Sequence, residues 1–491
     1  MFIRARFALL LAVLGCSSST APAPTTPPTA PTEKYELVLH GGRVMDPETG
    51  LDAVRDVGIS RGVIRKLSEA PLSGERVVDV RGLVVAPGFI DVHAHGQDAE
   101  NYALRAGDGV TTALELEVGA ADIDAFYAER EGKTLIHYGA SVGHIPVRMA
   151  VMGDPPGFLP AADSKAAKTV ASPSELEAIR RGLRQGLAAG AVAVGLGIMY
   201  TPAATRDEVL AVFEEAASAG ASVHVHMRYN GIKEPDSSTS ALQEVLGAAE
   251  QSKAALHVAH LHSTSLGFTQ NNLRLIDDAK RRGLDVTTEC YPYTAGMTDI
   301  ASGVFNDGWQ ASLGIGYENL LWAATGERLN QESFERFRKI GGMVAVFSIP
   351  EEAIEAALTH PLAMVASDAI MKNGKGHPRS AGTNGRLLGY YVREKKLISL
   401  MEALRKISLM PAQRLEHLAP LFERKGRVQE GADADLTVFD AERIEARASW
   451  SEPTLATAGI TYLFVAGTAV IERGALNGAV TPGQGLRAPR R

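Results

Sequence analysis

Ala86-Pro-Gly-Phe-Ile-Asp-Val-His-Ala-His-Gly96 is the stretch on which the reading of this chain turns. Phe89 to Val92 is a short, largely apolar run behind a Pro-Gly turn, and it predicts a strand. His93 and His95 stand two apart at its end. Side chains two apart on a strand share a face, so both imidazoles can aim at one point beyond the strand's carboxyl end. Two neutral imidazoles converging on one point suit a borderline divalent ion such as zinc.

Outward from this stretch the chain divides by pattern. From Tyr35 to Val85 it reads as short β runs with turns, including Glu36-Leu-Val-Leu39, Asp56-Val-Gly-Ile59 and Val77-Val-Asp-Val80. Similar runs return at Asp435-Leu-Thr-Val-Phe439 and Ile460-Thr-Tyr-Leu-Phe-Val465. Two β segments flanking a long middle predict one small β-sandwich domain assembled from both chain ends, over 35–87 and 421–480.

The middle, 88–420, alternates strand and helix. Ser172-Pro-Ser-Glu175 is a capping box with Pro at the first helical position, and its helix closes at Gly190 before Ala191-Val-Ala-Val194. Thr205-Arg-Asp-Glu208 opens the next helix, which closes at Gly220 before Ser222-Val-His-Val-His226. Helices before Ala255-Leu-His-Val-Ala-His260 and Leu284-Asp-Val-Thr287 continue the pattern. With runs near Thr111, Thr134 and Met364, about eight β/α units result, the number for a closed (β/α)8 barrel of TIM type. An open doubly wound sheet is disfavoured, because no Gly-rich phosphate loop follows any strand.

In such a barrel the carboxyl ends of the strands converge on one mouth. Those ends carry His93 and His95, then Glu115 or Glu117, His226, His260 and Asp368. Metal-ligand types at five strand ends point to a one- or two-metal hydrolytic site. His224 and His257 read as core imidazoles, and His144 and His377 as structural.

These residues resemble the amidohydrolase superfamily, and within it the D-aminoacylase (N-acyl-D-amino-acid deacylase) branch. The matching stretches include Gly88-Phe-Ile-Asp-Val-His-Ala-His95, Gly195-Leu-Gly-Ile-Met-Tyr-Thr-Pro202, His226-Met-Arg228, Ala259-His-Leu-His262, Tyr291-Pro-Tyr-Thr-Ala-Gly296, Ala366-Ser-Asp368 and His377-Pro-Arg379. The resemblance implies a barrel with a flanking β-sandwich, one or two Zn2+ ions, and hydrolysis of an amide next to a D-configured carboxylate. It implies that His226 and His260 hold the tighter metal, that His93 and His95 serve a second site, and that Asp368 is the catalytic acid/base and a ligand. Glu117 stands where the branch places a bridging Cys, and His262 where it places a Lys. Tyr200, Arg228, His262, Tyr291 and Arg379 are the candidates to contact the substrate, Arg being suited to a bidentate grip on its carboxylate.

The remaining composition sets bounds. The chain has 491 residues, 45% hydrophobic and 22% charged, with a net charge of -7. That charge argues against a nucleic-acid partner. Arg4 and Arg6 precede the apolar run Phe7 to Leu14, followed by Gly15-Cys16, which resembles a lipoprotein export signal with Cys16 as the lipidated residue. Residues 17–34, rich in Ala, Pro, Ser and Thr, then read as a tether. The expectation is a bacterial envelope protein that touches membrane only through this anchor, in the periplasm or on the outer surface, acting on a small N-acyl-amino-acid or dipeptide-like substrate. A dipeptidase acting on D-residue or isoaspartyl peptides is the alternative. A cyclic amidase is less favoured, since Ala191 to Met199 holds no Lys to be carboxylated. A metal-binding surface lipoprotein without turnover is least favoured, since it would need no Asp368.

Overall fold

The computed structural model describes residues 34–491, together with the isolated positions 8 and 12. The expected lipidation site Cys16, the expected export signal and the expected tether lie outside the described residues, positions 8 and 12 and the strand residue Lys34 aside.

Eight parallel strands form the central sheet: β1 (Phe89–Asp91), β2 (Val110–Ala120), β3 (His137–Gly143), β4 (Val194–Gly197), β5 (Ser222–His226), β6 (Ala255–Val258), β7 (Val286–Cys290) and β8 (Ala363–Val365). Each pairs with the next in chain order. The ring closes just beyond the strand ends, where the Asp368 N–H donates to the His93 carbonyl at 2.8 Å and Ala94 bridges Ala369. Arg105, 2% exposed, stitches the same seam. Its guanidinium donates to the His95 carbonyl at 2.5 Å, the Ala369 carbonyl at 2.7 Å and the Gly96 carbonyl at 3.2 Å, and its Nε faces Asp91 at 3.3 Å.

The helices begin where side-chain caps satisfy otherwise unpaired backbone N–H groups. Ser172 and Glu175 form the reciprocal box of the helix Pro173–Ala188. Thr205 caps Arg206–Ala219, which ends at Gly220 in the left-handed conformation. Between β3 and β4 the expected strand Ala191 to Val194 lies a few residues further on, at Val194–Gly197. A Cβ on Gly195 would sit 2.4 Å from the Glu117 carbonyl, so glycine there lets β4 approach β2 closely.

Strands from both chain ends form one nine-stranded sheet. Its long strand Lys34–Asp46 pairs in parallel with Ser73–Asp79 along its first half and with Val84–Pro87 near its end. Leu436–Phe439 joins Val84–Pro87 antiparallel, which splices the two ends of the chain. Leu39, Val57, Val85, Leu436, Val438 and Phe464 share an apolar cluster separate from the barrel's.

Two features escape the sequence reading. Between β7 and β8 the chain builds a four-stranded antiparallel sheet from Gly296–Asp299, Leu320–Trp322, Glu327–Arg328 and Met343–Val346. Aromatic packing holds it, with Trp322 stacked on Phe337 at 4.2 Å and Trp309 on Phe334 at 5.5 Å. The end of the chain also returns to the barrel. Gly483 and Leu486 donate to the Thr134 and Tyr138 carbonyls, and Ala488 donates to the Gly190 carbonyl.

Candidate metal centre

The carboxyl ends of β1, β2, β5 and β6 and the turn after β8 meet at one buried point. His93 Nε2, His95 Nε2, Glu117 Oε2 and Asp368 Oδ1 form one donor group, and Glu117, His226 and His260 form a second that shares the Glu117 carboxyl group. In the first group His93 Nε2 stands 2.8 Å from Glu117 Oε2, 3.0 Å from His95 Nε2 and 3.5 Å from Asp368 Oδ1. His95 Nε2 lies 3.2 Å from Glu117 Oε2 and 3.5 Å from Asp368 Oδ1. Donors about 2.0–2.1 Å from a tetrahedral zinc lie about 3.3 Å from one another, so these separations fit one ion. In the second group Glu117 Oε1 stands 2.7 Å from His226 Nδ1 and 4.0 Å from His260 Nε2.

The backbone makes this convergence possible in two places. Asp368 has φ +48° and His260 φ +32°, a left-handed region that non-glycine residues seldom occupy. Such strain, about 1–3 kcal/mol each, persists at functional sites where the surroundings fix the conformation. Both donors therefore sit one turn past a strand end instead of on it.

The outer nitrogens of the β1 imidazoles are held by carboxylates. His95 Nδ1 meets Glu115 Oε2 at 2.8 Å, and Glu115 Oε1 accepts the Val118 N–H at 3.2 Å. His93 Nδ1 meets Glu289 Oε1, whose second oxygen lies 3.1 Å from His257 Nε2. Carboxylates in these positions fix the tautomer and raise the basicity of ligating imidazoles. The sequence reading omitted Glu289, because it ended the seventh strand at Thr287, whereas β7 runs to Cys290. The signal was present as an acid at an inward position of a strand end. His257, expected as a core imidazole, extends the column through its Nδ1 to Thr287 Oγ1 at 2.8 Å.

Electrostatics favour a cation. Burial opposes ionisation of Glu117, but His226 and His93 overcome it and hold its pKa well below the usual range. Burial likewise opposes Asp368, and Arg379, with Nη2 3.1 Å from Oδ2, together with His93 keeps it ionised. Burial and the nearby His226 imidazole outweigh Asp368 and Glu117 and lower His260 to about 4, leaving a neutral imidazole with a free lone pair. Among the described residues, His226 Nε2 and His260 Nδ1 are buried without hydrogen-bond partners.

The substrate candidates divide. Tyr200 and Tyr291 line a pocket of about 70 Å3 that reaches His226, His260 and Asp368. Burial raises both phenols, Tyr291 to about 12, so both remain hydrogen-bond donors at neutral pH. Arg379 lies over the Tyr291 ring at 4.4 Å and keeps Nε and Nη1 without partners. Arg228 departs from expectation. It forks onto Glu244 at 2.8 and 2.7 Å and donates to the Pro202 carbonyl, so its charge is already matched. His262 departs as well. It is fully buried in the short helix Leu261–Ser265, its ring meets Tyr291 edge-on at 4.4 Å, and neither nitrogen has a partner. Burial and the nearby His260 lower it to about 3, so it is a neutral prop behind Tyr291. His144 and His377, expected to be structural, pair with Glu208 and the Ala295 carbonyl.

A parallel barrel carrying paired imidazoles, a shared carboxylate and an acidic group at its mouth defines a metal-dependent hydrolase of the barrel type. A model of the amidohydrolase family matches residues 76–471, and the chain belongs to that family. It is 30% identical to an N-acyl-D-glutamate deacylase of Alcaligenes xylosoxydans xylosoxydans, over 89% of this chain and 94% of the relative. It is 28% identical to a D-aminoacylase of the same organism, over 91% and 96%. The crystal structure of an N-acyl-D-glutamate deacylase from Bordetella bronchiseptica, with zinc and a phosphonate mimic of the tetrahedral intermediate, superposes with a TM-score of 0.79. It shares 26% identity and covers 93% of this chain and 100% of its own.

Proposed function

We propose that this chain is a zinc-dependent deacylase of N-acyl-D-amino acids. The observation that carries the reading is the Glu117 carboxyl group, shared between two donor groups with Asp368 completing one of them. His93, His95, Glu117 and Asp368 would hold one ion, and Glu117, His226 and His260 the other. A carboxylate bridges as a thiolate does, but it is a harder ligand, so the chain suits zinc without requiring it in both sites. When bound, zinc supplies Lewis acidity that acidifies water and polarises an amide carbonyl.

The chain's own groups supply the rest. Asp368 Oδ1 takes the proton of the attacking water and returns it to the leaving amine, acting as base and then acid. Arg379 holds the other Asp368 oxygen and keeps the carboxylate ionised for the first of these steps. Tyr200 and Tyr291 donate from protonated phenols at the pocket wall, and Tyr291 with Arg379 holds the substrate carboxylate. Kinetics of the zinc-loaded protein on paired N-acyl-D and N-acyl-L amino acids test the reading. Turnover of the D series alone is expected, and preference for the L series would overturn it.

We also propose that the protein is exported and held on the envelope by a lipid on Cys16. The motif Val13-Leu14-Gly15-Cys16 supports this location.

A further inference from the structure

The inner pocket is too small for most substrates of this class and lies against a larger space. Its volume is about 70 Å3, whereas the adjoining chamber holds about 370 Å3. Asn230, Val304 and Leu313 line both, so the two cavities adjoin at those residues. Tyr229, Lys233 and Asn306 are among the outer lining, with Trp309. Trp309 is 8% exposed and packed on Phe305 and Phe334, which makes that part of the lining rigid.

The topology indicates which part of a substrate reaches outward. Arg379 follows β8 and Tyr291 follows β7, so the carboxylate end lies on that side of the ring. The outer chamber draws on Met199 and Pro202 after β4 and on Tyr229 to Asp236 after β5, capped by Gly303 to Leu313 of the excursion between β7 and β8. In an eight-stranded barrel β8 and β4 are diametrically opposed. A trans amide sends its amine-side and carbonyl-side substituents in opposite directions. The group on the carbonyl side therefore points into the chamber. Its lining is polar and aromatic, and Glu234, Asp236 and Asp307 outnumber Lys233 there while Arg228 is held by Glu244, so it suits an amine or amide group better than an anionic or alkyl acyl group.

We infer that the outer chamber is an acyl-side subsite and that the preferred substrates are aminoacyl, dipeptide-like N-acyl-D-amino acids. The inference rests on the deacylase reading and extends it from reaction to substrate class. The test compares L-alanyl-D-leucine with N-acetyl-D-leucine on the zinc-loaded protein. A kcat/KM at least tenfold higher for the dipeptide is expected. Asn306→Trp and, separately, Lys233→Trp place bulk in the chamber from exposed positions, and each should cut the dipeptide-to-acetyl ratio at least fivefold with the thermal midpoint retained. Equal kcat/KM for the two substrates, or a ratio that neither variant moves, would overturn the subsite. So would a variant effect that tracks the side chain, seen as selective loss of N-acetyl-D-tryptophan over N-acetyl-D-alanine. Failure to hydrolyse any D-configured substrate would instead overturn the deacylase reading, and the subsite with it.

Discussion

Glu117 and Glu115 lie two apart on one strand, share its inward face and do different work. Glu117 reaches both donor groups, whereas Glu115 belongs to neither and meets the outer nitrogen of His95 and the Val118 N–H. Glu117→Gln is therefore expected to lose metal after dialysis, read by elemental analysis. Glu115→Gln should keep it with affinity weakened about 10- to 100-fold, as removal of an orienting carboxylate does. The opposite order would show that Glu115 is the ligand. Asp368 gives the second prediction at this scale. Asp368→Asn keeps volume and removes the proton carrier, so kcat should fall by at least about 10²- to 10⁴-fold with circular dichroism unchanged. Activity within tenfold of the parent would refute the assignment. The expected contribution of His262 to carboxylate binding is withdrawn on geometry, because its ring stands behind Tyr291 and not in the pocket.

At the scale of elements, the weak point of the barrel is the seam between its first and last strands. Both are three residues long, and they join beyond their ends through few backbone bonds. Arg105 supplies what the ladder lacks by joining the His95 and Ala369 carbonyls. Arg105→Met fills similar space but leaves those carbonyls and Asp91 without their buried donor. Loss of one member of a buried ion pair costs about 3–5 kcal/mol, so unfolding in urea should shift to lower midpoint. A midpoint unchanged by the substitution would mean that the seam closes without it. Because His95 and Asp368 flank this seam, metal affinity is expected to fall in parallel.

For the whole molecule, the chain's end is part of the barrel. Gly483, Leu486, Ala488 and Arg491 each donate a backbone bond to segments before β3 or β4 or to β3 itself, and Tyr127 Oη donates to the Leu486 carbonyl at 2.5 Å. Each such bond is worth about 1 kcal/mol net, so removing residues 483–491 should lower the thermal midpoint by several degrees. An unchanged midpoint would leave the tail as decoration. At the other end, Cys16→Ser should move the protein from the membrane to the soluble fraction of a bacterial host, and unchanged fractionation would refute lipidation at that residue. Among the described residues no helix is long and apolar enough to cross a membrane.

The sequence by itself determined the barrel, the β strands contributed by both ends to one sheet, and the convergence of His93, His95, His226, His260 and Asp368 on one mouth. These follow from local rules: caps and glycine stops bound each β/α unit, and inward positions at strand ends face one mouth. It could not separate Glu115 from Glu117, since both share the strand's inward face and only the depth of β2 in the barrel tells them apart. It read Arg228 as free because Glu244 stands 16 residues away on the following helix, Ser238–Ser252, and pairing across that distance depends on how helix and loop pack. The excursion between β7 and β8 escaped because its strands are two to four residues long and stabilised by aromatic stacking more than by periodicity. The left-handed turns at His260 and Asp368 carry no glycine to announce them. Only tertiary packing holds two such strained residues in place, and with them the geometry of the metal centre.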